Sequence, residues 1–185
     1  MSNKTSTRSL IYIFVLIVGL VLPEFCFAKT AKEIDAGMDK TLKNFYKTIG
    51  EAKVLGDKAE GILVFPSVIK AGIGIGGEYG EGGLRVKGKS VDYYSTAAAS
   101  IGFQLGAQTK TVILMFMSQK ALKKFRDSDG WEVGVDASVA VVEVGAGGSL
   151  DTTKLKQPIL GFIVGQKGLM YNLTLEGSKL TKLKR

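Results

Sequence analysis

Histidine is absent from this 185-residue sequence, and cysteine and tryptophan occur once each. The single cysteine, Cys26, follows the one long apolar run in the chain, the thirteen residues 10–22. Lys4 and Arg8 precede that run, and Cys26-Phe27-Ala28 follows it, with small residues one and three places back from a cleavage point before Lys29. Basic start, short apolar centre and small-residue exit predict a secretory signal peptide over residues 1–28, cleaved after Ala28. The apolar run is too short for an ordinary spanning helix. A lipoprotein signal needs small residues directly ahead of its cysteine, and Pro23, Glu24 and Phe25 stand there. Simple cleavage is therefore expected, placing one domain, residues 29–185, in the periplasm or cell envelope.

That domain has neither cysteine nor histidine. A disulfide, a thiolate nucleophile, an imidazole base and a Cys/His metal site are all excluded. Carboxylates remain as catalytic candidates: Glu78, Glu81, Asp92, Asp136 and Glu143. Two carboxylates ~5–10 Å apart can cleave a glycan, but no spacing in the sequence pairs any of these. Asp127-Ser128-Asp129-Gly130 starts like a calcium loop, yet the remaining ligands and the closing glutamate are missing, so a turn is expected. No enzyme activity, metal or cofactor is expected.

Negative charge is in short supply too. The net charge is +8, and loss of Lys4, Arg8 and Glu24 with the signal takes it to +7. Such a domain favours anionic partners. Outside the cytoplasm these are lipid headgroups and acidic glycans rather than nucleic acid.

Glycine is abundant, with 24 residues, and seven of the twelve positions 72–83 are glycine. Gly72, Gly74 and Gly76 share one face of a strand, with Ile73 and Ile75 on the other. A bare glycine face signals close approach of another backbone, sharp curvature or a ligand. Gly72, Gly74 and Gly77 match the dinucleotide pattern GxGxxG, but that motif needs a helix opening at its last glycine. Here Glu78 and Glu81 follow in a poor helix start, where phosphate would sit.

Thr30-Ala31-Lys32-Glu33 is a capping box, and Ile34, Met38, Leu42, Phe45 and Ile49 continue as a helical apolar stripe. Lys40, Lys43 and Lys47 share another face of that helix. A short helical or irregular link is expected over 51–60. Residues 62–65 read as a strand stopped by Pro66. Residues 71–77 and 83–86 read as a hairpin around the glycines, with a further turn at 87–89. Strands are expected over 90–94, 101–108 and 111–117, the last covered on both faces. Ser118 caps a short helix with Ala121, Leu122 and Phe125 inward. Residues 131–144 alternate as one strand with a bulge near its end, a glycine turn follows at 145–148, and strands are expected over 159–164 and 169–175. Asn172-Leu173-Thr174 is a glycosylation sequon within the last of these. The whole predicts an α+β single domain: a strongly curved, mostly antiparallel, barrel-like glycine-rich sheet with an amphipathic N-terminal helix and a short mid-chain helix.

These residues carry a family resemblance. Residues 61–83 (GILVFPSVIKAGIGIGGEYGEGG), Tyr93-Tyr94-Ser95, 100–108 (SIGFQLGAQ), 130–136 (GWEVGVD) and 161–179 together resemble the SYLF domain. The domain accompanies SH3 or FYVE modules in eukaryotes and stands alone in secreted bacterial proteins. The resemblance implies binding of anionic lipids, partly through a basic amphipathic N-terminal helix, with actin binding in yeast relatives. The expected function is that of an envelope lipid-binding protein contacting anionic phospholipid at a membrane surface. Lys40, Lys43, Lys47, Lys70, Arg85, Lys87 and Lys89 would supply the charge, and apolar groups near the glycine-rich stretch would meet acyl chains. The alternative is a structural or protein-interaction module of the envelope, binding another protein through a sheet edge.

Overall fold

A computed structural model describes residues 28–142, 155–167, 175 and 177–185. Helices α1 (Ala31–Thr48) and α2 (Gly50–Lys58) open it, followed by strands β1 (Gly61–Val86) and β2 (Lys89–Phe116). Helix α3 (Gln119–Arg126), β3 (Trp131–Glu132), β4 (Ala140–Val141), β5 (Ile159–Lys167) and β6 (Lys179–Leu183) complete the described elements. The α+β class and the curled, mostly antiparallel sheet are as expected.

Both outer helices begin as their sequences dictate. Thr30 Oγ1 accepts from the Glu33 N–H at 3.3 Å, and Glu33 Oε2 accepts from the Thr30 N–H at 2.8 Å. Ser118 caps α3 by accepting from the Ala121 N–H, and Leu122 and Phe125 are buried.

The strands depart from expectation. β1 and β2 are not a series of short hairpins but one long antiparallel ribbon, paired from Gly61↔Phe116 to Val86↔Lys89. Pro66 does not stop β1. The register shifts between Phe65 and Val68, so Pro66 sits in a bulge where no ladder N–H is required. The turn lies at Lys87 (φ 51°) and Gly88 (φ 78°), positive at both positions as a type I′ hairpin needs. The glycines of 77–83 make no turn; strand continues through them.

What they do is let the ribbon double over. A Cβ on Gly82 would lie 2.1 Å from the Val64 carbonyl oxygen, and one on Gly80 would lie 2.8 Å from that of Ser67. The late half of β1 thus rests on its own early half. The reversal occurs around Gly72–Gly76, where a Gly72 Cβ would fall 2.3 Å from the Gly76 Cα. Opposite it the register jumps from Ile73↔Leu105 to Ile75↔Ile101. Of the readings open for a bare glycine face, close backbone approach and sharp curvature are both realised.

On its other edge, β2 pairs β6 along Tyr93–Ala97 and β5 along Thr109–Phe116. One core fills the fold of the ribbon and includes Leu63, Phe65, Leu114, Phe116, Phe125 and Trp131. A second lies between the sheet and α1, from Ile34, Met38 and Phe45 to Val64, Ile113 and Phe162. Residues 112–116 therefore face packed side chains on both sides, as their unbroken apolar run requires. The alternating run from Trp131 is not one strand. Gly134 (φ 89°) turns the chain, and Asp136 accepts from the Glu132 N–H at 2.6 Å. Val135 is consequently exposed, and only the pair Ala140–Val141 returns, parallel to β5. The turn expected at 145–148 and the sequon at Asn172 lie outside the described residues, as does the strand expected over 169–175 except for Leu175, which is buried and in no strand.

Candidate functional site

The buried stripe of α1 (Ile34, Met38, Leu42, Phe45) fixes the direction of everything else on that helix. At 100° per residue, Lys32, Lys40, Lys43 and Lys47 fall within one arc of about 80°, on the side away from the stripe. All four are exposed. The helix is held against the hairpin end of the ribbon by its acids. Asp39 pairs with Arg85 at 2.6 Å, and Asp35 accepts from Ser90 at 2.6 Å and Tyr93 at 3.0 Å. Lys87 and Lys89 at the hairpin turn are exposed beside this anchored end. Lys40, Lys43, Lys47, Lys87 and Lys89 thus stand on exposed surface, and Lys32 joins the helical group. Lys32 escaped the spacing argument because it lies within the capping turn.

Arg85 is committed to Asp39 and mostly covered. Lys70 is not on the surface at all. It pairs across the ribbon with Gln108, and its Nζ lies 3.5 Å from Glu78 Oε1. Lys110, 2% exposed, places its Nζ 2.8 Å from Glu78 Oε2. Two buried ammonium groups share one carboxylate inside the fold of the ribbon. Gln108 Nε2, beside them in sequence, is buried with no hydrogen-bond partner among the described residues. The sequence shows neither ion pair, since each joins positions that meet only when the ribbon folds.

The remaining acids are likewise engaged. Glu81, 6% exposed, accepts from the Lys29 N–H, the Tyr79 hydroxyl and Arg185, each at 2.9 Å. Asp92 pairs with Arg126 at 3.1 Å and Lys182 at 2.5 Å. Glu143 lies outside the described residues. No group of histidine, cysteine and acidic side chains among the described residues is arranged to hold a metal. An apolar cleft of about 340 Å³ runs beneath the C-terminal half of α1, lined by Phe45, Ile49 and Val164 with Thr41, Asn44 and Thr48 at its mouth.

Burial raises the phenol of Tyr94 far above its ordinary range, with the charge of Asp92 adding to it; the hydroxyl has no hydrogen-bond partner among the described residues. Tyr46 is raised mainly by burial, and Tyr93 by burial and then by its bond to Asp35. The backbone N–H and then the hydroxyl of Thr30 hold the Glu33 carboxyl below the usual range.

The site as a whole is a folded β-ribbon carrying a docked helix with its lysines outward, while the candidate acids Glu78, Glu81 and Asp92 are paired with cations. Residues 97–185 match the family described as Ysc84, Las17-binding protein actin regulator, in agreement with the resemblance of the chain to the SYLF domain. That family is associated with lipid binding and with actin regulation. Comparison with curated proteins finds no match.

Proposed function

We propose that the chain is exported, is cleaved after Ala28, and binds anionic lipid surfaces through the lysine face of α1 and the hairpin turn at Lys87 and Lys89, without catalysing a reaction. The carrying observation is the arrangement of α1. Its apolar stripe is committed to the core, so its lysines meet a membrane as a docked charged face rather than as an inserted helix. Each lysine near an anionic surface contributes about 1 kcal/mol. Five of them make a useful affinity that falls as salt shortens the reach of the charges. An exported protein does not meet actin, so the lipid side of the family's association is the one carried to this chain.

Two observations support the companion claims. The Lys29 N–H already reaches the buried Glu81, so cleavage after Ala28 would turn that donor into an ammonium group facing a carboxylate. Of the candidate acids, Glu78, Glu81 and Asp92 are tied to cations and Asp136 to a backbone donor, which supports a reading without a general acid or base among these four. Charge reversal at Lys40, Lys43 and Lys47 is the test. It should weaken binding to anionic vesicles by roughly a hundredfold or more, and unchanged binding would defeat the reading.

A further inference from the structure

Where the ribbon reverses, its polarity is inverted. Among the described side chains of this stretch of β1, the exposed ones are Ile69, Ala71, Ile75 and Tyr79, with Gly77 between them. Ile75 is 73% exposed, Ile69 54% and Tyr79 53%. The residues paired with them on β2 continue the face: Ala97 opposite Tyr79, Ala99 opposite Gly77 and Ala107 opposite Ala71, all exposed. None of these side chains carries a charge. The charged groups of the same stretch, Lys70, Glu78 and Lys110, point the other way, into the fold, where they neutralise one another in part. A ribbon in water turns apolar residues inward and charges outward. Apolar outward with polar inward is the arrangement of strands that face lipid.

The geometry points to the outer face of this bend as a surface that enters the hydrocarbon edge of a bilayer. The inference rests on the reading that the partner is a lipid surface, but different residues carry it. Three features favour lipid over a second protein. Alanine and glycine between the isoleucines leave few projecting groups to key into a partner's surface. The face is uncharged across both strands. Its edge is cationic, because β6 pairs β2 along Tyr93–Ala97 and sets the exposed Lys179 opposite Ala97, with the exposed Lys184 just past the end of β6. Apolar centre and basic rim match hydrocarbon beneath anionic headgroups. The internal ion pairs let the bend enter without carrying an exposed charge into hydrocarbon.

Because the chain from Lys29 onward has no cysteine, one can be placed at will. We would label Ile75→Cys with an environment-sensitive fluorophore in residues 29–185, with Val135→Cys as an exposed control away from the bend. The protein is mixed with phosphatidylglycerol–phosphatidylcholine vesicles that carry quenchers on their acyl chains. The expected result is a blue shift and quenching at position 75 and neither at 135. In parallel, Ile75→Asp should weaken sedimentation with these vesicles by about tenfold or more while leaving the thermal unfolding curve in place.

Binding that persists with position 75 unquenched and Ile75→Asp harmless would overturn the insertion and leave the lysine reading standing. Binding lost in Ile75→Asp but kept on reversal of Lys40, Lys43 and Lys47 would support the bend and defeat the helix. Failure to bind any vesicle would end both. Concentration-dependent self-association abolished by Ile75→Asp, with no acyl-chain quenching, would assign the face to a second copy of the chain instead.

Discussion

Single residues decide how tightly the ribbon can fold. Gly82 and Gly80 lie where a Cβ would collide with the backbone of Val64 and Ser67, which cannot swing aside as a flexible side-chain end can. Gly82→Ala should therefore destabilise the domain by about 2 kcal/mol or more, a cost of overpacking. Gly88→Ala strains only an exposed turn, and should cost about 1 kcal/mol. Denaturant midpoints of the two variants check the ranking; equal small losses would contradict a doubled-over ribbon. Tyr94 offers the opposite case. Its ring packs against Phe125 with centroids 4.8 Å apart, while its hydroxyl is buried without a partner among the described residues. Tyr94→Phe should leave stability unchanged or raise it by up to about 1 kcal/mol.

At the scale of elements, α1 depends on its first turn. Thr30→Ala removes the cap and should lower stability by about 1 kcal/mol. Glu33 titrates below its ordinary value, so the contribution of its carboxylate is present above the usual carboxyl range and disappears as pH falls through the depressed value. Thr30→Ala should therefore cost less in acid than at neutral pH, which chemical denaturation at the two pH values would show. The helices were legible in the sequence because capping and the 3.6-residue stripe are local signals. The central strand 112–116 was legible for the same reason. The continuity of β1 was not. Pro66 and the glycines of 77–83 look like breaks when each is read with its neighbours alone. They are reconciled with a strand by a bulge and by a partner segment some sixteen residues earlier in the chain. The same limit explains Lys70: its lysine chemistry suggested surface, but Glu78 and the fold of the ribbon place it inside. Lys40, Lys43 and Lys47 needed only helical spacing, and the basic rim of β6 needed the sheet pairing.

In the whole molecule, burial and charge are sorted by layer. Tyr46, Tyr93 and Tyr94 all have phenols raised above the ordinary value, so the fold favours their protonated forms. Their contribution is complete below the unfolded phenol pKa of about 10 and is lost as pH rises through the raised values. Spectrophotometric titration should show these phenols ionising together with alkaline unfolding, not before it. Glu81 ties two distant segments to the ribbon, receiving the Lys29 N–H and Arg185. Outside this frame lie the lysine face of α1 and the uncharged bend, two surfaces that the core does not use. The most direct measurement of what they are for is sedimentation of residues 29–185 with neutral and anionic vesicles at low and high salt. The account predicts pelleting with anionic vesicles, weakened by salt and by reversal of Lys40, Lys43 and Lys47. Protein that stays in the supernatant with anionic vesicles at low salt would contradict it.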